Sequence, residues 1–225
     1  MFTGIIQQVG KLTGKETSGT AARLTIGCPP WKPPLENGES IAVNGACLTV
    51  ARLTTHGFVC DVLEETIRCT NLGRKESGAP LNLERAVRFG DVMGGHLVSG
   101  HIDGVGKIAE RRSAGRDWQL DISCDDSLLR QIVLKGSVSC DGVSLTVTRL
   151  EKTFFSVNLI PHTWQNTALH VLQAGDTVNL ETDLIGKYVF RWMGGQRSEI
   201  SGQTSEKKPA KPITENTLRQ AGFGK

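Results

Sequence analysis

Aromatic residues are scarce in this 225-residue chain, at 5%, and Tyr188 is its only tyrosine. An excess of charge of either sign is nearly missing as well. The formal net charge is +3, and residues 196–225 alone hold six Lys/Arg against three Glu, so the preceding 195 residues are neutral overall. A basic tail without a pattern of interleaved aromatics reads as a solvated end, not as an arm for nucleic acid. The six cysteines, at 28, 47, 60, 69, 124 and 140, form no CxxC pair and no zinc-like spacing, which leaves reduced thiols as their reading. No apolar run approaches the length of a membrane span, and MFTGIIQQVGKL has no basic n-region followed by a long apolar stretch. A soluble, cytoplasmic protein without a signal peptide is expected. With 38% apolar and 22% charged residues, the composition allows a sizeable core.

Against these absences stands a duplication. VNGACLTV at 43–50 returns as CDGVSLTV at 140–147, 97 positions later. The register extends in both directions. LTVARL lies over LTVTRL, Phe58 over Phe155, Glu65-Thr66 over His162-Thr163, and LNLE at 81–84 over VNLE at 178–181. Near the front the offset is 96, with TGII at 3–6 over SGHI at 99–102. Two copies of about 90 residues are too few for a solenoid and fit a duplicated domain. In the first copy, short alternating segments at 2–12, 20–26, 39–44, 46–53, 57–62 and 81–85 predict six strands. Six strands per copy suggest a small closed antiparallel barrel, which leaves no exposed edge.

Few helices are expected. Asp125-Asp126-Ser127 before LLRQIVL predicts a capped short helix, which the prolines of CPPWKPPLENG forbid in the first copy. EETIRCTNLG and PHTWQNTAL predict one or two helical turns each near a barrel mouth. LIGKYVFRWM puts Leu184, Ile185, Tyr188, Val189 and Trp192 on one helical stripe, for which another subunit is a natural cover. The expected organisation is thus all-β: an N-terminal barrel at 1–97, a C-terminal barrel at 98–183, a C-terminal α-helix at 184–195 and a polar, disordered tail at 196–225.

The phrases MFTGII, GESIAVNGACLTV, EETIRCTNLG, NLERA, GGHLVSGHIDGVG and DGVSLTV, in that order, resemble the riboflavin synthase family of the alpha-chain type over residues 1 to about 190. The resemblance implies two six-stranded barrels and a helix that joins three chains into a homotrimer. It further implies the dismutation of two 6,7-dimethyl-8-ribityllumazine molecules to riboflavin and 5-amino-6-ribitylamino-uracil, with a four-carbon unit transferred. No metal or organic cofactor is implied, and no membrane or nucleic-acid partner. Association with lumazine synthase is left open.

Site residues follow from the matched motifs. The resemblance implies substrate contacts at Gly4, Ile5 and Ile6, at Cys47, Leu48 and Thr49, and at Asp61, Val62, Leu63, Glu64, Glu65 and Thr66, all assigned to the N-terminal barrel. To the C-terminal barrel it assigns Gly100, His101 and Ile102, Lys135, Ser144, Leu145 and Thr146, and Asn158, Leu159, Ile160, Pro161, His162 and Thr163. Leu48 and Leu145 are equally readable as plain strand residues, and Lys135 as a solvated one. Cys47 is a candidate nucleophile or proton acceptor, where Ser144 mainly hydrogen-bonds; its other reading is a small packing residue. His101, opposite Ile5, is the preferred proton carrier, with His96 in support. Ser40 and Asp183 complete the catalytic candidates; Asp183 is equally placed to cap the last helix. Two other readings compete. Lumazine and flavin proteins that bind without catalysis tend to lose the Cys and His positions, which this chain keeps. A flavin reductase barrel would need an R-x-Y-[ST] motif and a different second domain.

Overall fold

The computed structural model describes residues 1–18 and 21–192, and the expected tail lies outside the described residues, as do positions 193–195 of the last helix. Each copy closes into a six-stranded antiparallel barrel. The first is built from β1 (Gln8–Ser18), β2 (Ala21–Gly27), β3 (Ser40–Val43), β4 (Ala46–Thr54), β5 (Gly57–Val62) and β6 (Pro80–Arg85), in the order β1-β2-β5-β4-β3-β6. The second repeats that order with β7 (Gly104–Ala114), β8 (Asp117–Ser123), β9 (Ser137–Cys140), β10 (Val143–Leu150), β11 (Phe154–Leu159) and β12 (Thr177–Thr182). The alternation seen in the sequence sorts the side chains. Ala46, Leu48 and Val50 of β4 are buried while Thr49 is exposed, and Val143, Leu145 and Val147 of β10 are buried in the same way. Phe58 and Phe155, partners in the repeat, are both 0% exposed at the centres of their cores. Register shifts at Leu12/Gly14, Val50/Arg52, Ile108/Glu110 and Val147/Arg149 recur at equivalent places and supply the bends that closure requires.

Two elements differ from expectation. The first strand begins at Gln8, because residues 2–6 leave barrel 1 and run as an extended strap. The short helix α2 is a single turn, Asp126–Leu129, after an Asp125 whose side chain makes no cap bond. Its Leu128 and Leu129, with Ile132, fill the second core, where Trp31 and Leu35 from the proline-rich loop serve the first. The two remaining short helices are as read: α1 (Glu64–Cys69) and α3 (Pro161–Asn166), each followed by a 3₁₀ turn. The last helix, α4 (Leu184–Trp192), presents Ile185, Tyr188, Val189 and Trp192 to solvent.

The barrels meet through their repeated octets. Asn44-Gly45 and Asp141-Gly142 form two-residue hairpin turns, all four residues with positive φ. They pack back to back, so closely that a Cβ on Gly45 would lie 2.8 Å from the Gly142 amide nitrogen, and one on Gly142 equally near Gly45. Buried amides lock the seam crosswise. Asn82 Nδ2 donates to the Asp141 carbonyl and Asn179 Nδ2 to the Asn44 carbonyl, each at 2.9 Å. Each side chain of the turn in return accepts a backbone N–H of its own barrel, Asn82 to Asn44 at 2.8 Å and Asn179 to Asp141 at 2.7 Å. Asp141 is the acid of the pair, and it accepts one further bond from Asn71 Nδ2 at 3.0 Å.

Burial pushes the Asp141 carboxyl up to about 6, against smaller opposing pulls from Lys75 and its hydrogen bonds. Between 3.8 and about 6 the folded chain therefore holds a proton that the unfolded chain has released, and stability falls as pH rises through that window. Asp141→Asn, which copies Asn44, should unfold at higher urea than the parent at pH 8, by about 3 kcal/mol, with the difference vanishing near pH 4. Equal midpoints at pH 8 would contradict this. Gly45→Ala should cost about 2 kcal/mol or more in the same assay, from the left-handed backbone and the contact with Gly142.

Candidate active site

Strand register decides which candidate side chains leave the barrels. Ala42 faces Cys47 and Ser40 faces Thr49 across β3 and β4, so Ser40, Cys47 and Thr49 share the outer face. Ser139 faces Ser144 and Ser137 faces Thr146 in the second copy, with the same result. Leu48 and Leu145 point the other way and belong to the hydrophobic cores, as do Val62 and Leu159. For these four residues only the backbone is left to meet a ligand. Asp61, Leu63, Glu64 and Glu65 are exposed around the start of α1, as are Asn158, Ile160 and His162 around the start of α3.

The straps cross over. Cys47 N–H donates to the Gly100 carbonyl at 2.8 Å, and Ser144 N–H donates to the Gly4 carbonyl at 2.8 Å. Ile102 packs on the core of barrel 1 and Ile6 on the core of barrel 2. The assignment of Gly4, Ile5 and Ile6 to the Cys47 site, and of Gly100, His101 and Ile102 to the Ser144 site, is therefore reversed. The segment that precedes each barrel reaches over the seam, where Phe2 and Val98 pair with each other at its centre. A Cβ on Gly4 would stand 2.6 Å from Ser144 Cβ, and one on Gly100 2.6 Å from Cys47 Cβ, so both straps need glycine at the crossing.

Buried glutamates anchor the straps. Glu84 accepts the Thr3 N–H and hydroxyl, both at 2.7 Å, and the Gly4 N–H at 3.0 Å. Glu181 repeats this with Ser99 N–H and hydroxyl at 2.6 Å and Gly100 N–H at 2.9 Å. Burial raises the Glu84 carboxyl, and its strap hydrogen bonds pull it back. Neither glutamate was singled out in the sequence. The signal for them was the LNLE/VNLE block, whose last residue recurs together with a small hydroxyl before each strap glycine.

His96 is drawn in where His101 was preferred. Its Nδ1 lies 2.7 Å from Ser144 Oγ, and its buried Nε2 has no partner among the described residues. Burial lowers the imidazole, with the nearby Asp183 charge acting in the opposite sense, so the ring is neutral at neutral pH. It comes from the segment GGHLV that joins the two copies, outside the repeated blocks. His101 is exposed on the strap over Cys47, and its backbone N–H donates to Ser99 Oγ at 3.2 Å. Asp183 Oδ1 accepts the Ile185 N–H at 2.8 Å and so caps α4. Lys135 lies just outside β9, where its backbone N–H donates to the Val147 carbonyl at 2.9 Å, three residues along β10 from Ser144. Among the described residues, no group of three or more His, Cys, Asp or Glu is arranged to hold a metal. Cavities of about 270, 280 and 450 Å³ are lined by other residues, respectively around Trp31 and His56, around Asn71 and Asp176, and around Arg85 and Arg88. Both candidate faces are built from strand surfaces and straps.

Comparison with known proteins bears on these two faces. The lumazine binding domain family matches residues 3–86 and 99–183, one match per copy. Riboflavin synthase of Actinobacillus pleuropneumoniae is 40% identical over 99% of this chain and 100% of its own length. Riboflavin synthase of Mycobacterium tuberculosis (strain ATCC 25618 / H37Rv) is 44% identical over 86% of this chain and 98% of its own. Among solved structures, LumP complexed with 6,7-dimethyl-8-(1'-D-ribityl) lumazine superimposes with a TM-score of 0.73 at 25% identity, covering 81% of this chain and 99% of that one. LumP complexed with riboflavin gives 0.74 at 26%. Two barrels joined by exchanged straps, each matched by the lumazine binding domain, and full-length relatives at this identity establish that the chain belongs to the riboflavin synthase family.

Proposed function

We propose that the protein joins two molecules of 6,7-dimethyl-8-ribityllumazine, transferring a four-carbon unit from one to the other to yield riboflavin and 5-amino-6-ribitylamino-uracil. The observation that carries this reading is the pairing of two equivalent outer faces, each made of one barrel's hairpin and the other barrel's strap, that differ in their reactive side chains. One face carries the Cys47 thiol and the other the Ser144 hydroxyl. A reaction between identical molecules needs two matching sites, and it also needs them to act differently. Holding both reactants in a fixed approach supplies up to roughly 7–11 kcal/mol of the barrier in well-aligned systems.

The faces divide the work by chemistry. Ser144 has a neutral imidazole at 2.7 Å, so it is competent to lose a proton to His96 while adding to the electrophilic ring, or to relay a proton from the C7 methyl group. Cys47 offers a softer nucleophile to the other molecule, beside His101 on its strap. Asp183, close enough to His96 for its charge to be felt there, stabilises a cationic imidazole. Glu84 and Glu181 hold the strap amides in place. Because each face is open, the second half of each site is assigned to a neighbouring chain, with three chains joined through the apolar stripe of α4. Ile185, Tyr188, Val189 and Trp192, between 51% and 88% exposed, support that association. A cytoplasmic location is part of the same proposal. LumP, a lumazine-binding relative by structure, motivates the other reading, a protein that binds without turnover. The full-length identity of 40–44% to synthases, against 25–26% to LumP, favours the enzyme.

Incubation with 6,7-dimethyl-8-ribityllumazine should produce riboflavin and the uracil in equal amounts; tight binding with no product would contradict the proposal. Cys47→Ser should lower kcat by about tenfold or more while ligand affinity at the Ser144 face stays nearly unchanged. Unaltered turnover removes Cys47 from the chemistry. His96 must be deprotonated to act, so the acid limb of kcat should lie below the ordinary imidazole value of 6.5, and His96→Gln should abolish that limb along with most of the rate.

A further inference from the structure

The second copy carries a construction that the first lacks, beside the loop that bears six of its candidate contacts. Trp118 of β8 and Trp164 of α3 stack with ring centroids 4.5 Å apart and planes 11° from parallel. The Arg111 guanidinium lies 5.3 Å from the Trp118 ring centre and 5.7 Å from that of Trp164. Its Nη1 donates to the carbonyls of Leu172 at 2.9 Å and His170 at 3.3 Å. In the first copy Lys15 stands at the Arg111 position, and its Nζ donates to the carbonyls of Gly73 and Lys75, both at 2.9 Å. Those are the repeat equivalents of His170 and Leu172. Ala22 and Ile67 stand where the second copy has Trp118 and Trp164.

The cation-to-carbonyl clamp is therefore common to both barrels, and the indole pair is an addition to one. Barrel 1 closes without it, so closure is not its purpose. Its location points elsewhere. Trp118 pairs with Leu159 and Gln119 with Asn158, while Trp164 follows Thr163 and donates its N–H to the Ile160 carbonyl at 3.0 Å. The stacked rings thus tie the two ends of the 158–163 loop to each other. The same loop in the first copy, 61–66, is tied by the exposed ion pairs Arg23–Asp61 and Arg68–Glu65, which contribute little in water.

We propose that Arg111, Trp118 and Trp164 are positioning residues that hold the 158–163 loop ready for ligand, and so make the two lumazine sites of each chain unequal. The proposal rests on the two-site reading above. A loop ordered during folding loses less freedom when ligand arrives than one ordered by the ligand. Unequal rigidity also breaks the symmetry between two identical substrate molecules, one of which must give the four-carbon unit and the other receive it.

The test titrates 6,7-dimethyl-8-ribityllumazine into the full-length protein and into Trp164→Ile, which installs the first copy's residue, Trp164→Phe, which keeps a ring, and Arg111→Lys, which keeps the clamp. Trp164→Ile should weaken one of the two sites about tenfold, in line with an aromatic pair plus a cation over its face, and leave the other unchanged. KM should rise more than kcat falls. Trp164→Phe should restore most of the affinity, and Arg111→Lys should weaken the same site to a lesser degree. The exciton couplet of the stacked indoles in far-ultraviolet circular dichroism should vanish in Trp164→Ile and reports whether the stack has been broken. Loss of the couplet with both sites weakened equally, or with neither affected, overturns the proposal. A parent with one site per chain removes the two-site reading and this proposal together, whereas two sites indifferent to Trp164→Ile overturn this proposal alone.

Discussion

The contact on which the rest of the molecule depends is the back-to-back packing of two glycine turns. Gly45 and Gly142 approach until neither has room for a Cβ, and that approach sets the distance between the barrels. Asn82 and Asn179 then reach across to the carbonyls of the opposite turns, so the seam is fixed in rotation as well as in distance. Buried amides of this kind are costly when unpaired and specific when satisfied. Their crosswise pattern admits one relative placement of the two copies.

From that placement the site follows. With the hairpins locked, each strap has a single course, over the seam and onto the hairpin of the other barrel. Glu84 and Glu181 hold the strap amides, and Gly4 and Gly100 let the backbone pass directly over Ser144 and Cys47. The result is one candidate surface in duplicate, belonging to neither barrel alone. Duplication then leaves room for difference. Cys47 against Ser144, His96 beside Ser144 and the indole pair of the second copy all fall on or beside these surfaces, while the strand order of the barrels stays alike.

Much of this was legible in the sequence because the duplication served as its own control. An octet repeated 97 positions later shows where the turns lie, and alternation within it shows which residues face the core. Six strands per copy and closed barrels follow from that alternation, and the terminal helix follows from the helical spacing of its apolar stripe. The crossing of the straps was not legible, since sequence order places residues 3–6 with the barrel they precede, and only the tertiary hydrogen bonds of Cys47 and Ser144 show otherwise. His96 is hard to weigh from sequence for a related reason: a repeat highlights what recurs, and this histidine lies in the segment between the repeated blocks. Leu48 and Leu145 were readable either way until register turned their side chains inward.

The central claim is that two such faces, from different chains, enclose one pair of reacting molecules. Complementation tests it most directly: chains inactivated at Cys47 are mixed with chains inactivated at His96, allowed to exchange subunits, and assayed for riboflavin formation. If the Cys47 face of one chain works with the Ser144 face of its neighbour, random mixing restores about a quarter of the sites and activity rises well above either parent. If mixed assemblies form and stay as inactive as the separate variants, the two faces do not meet between chains, and the account is wrong.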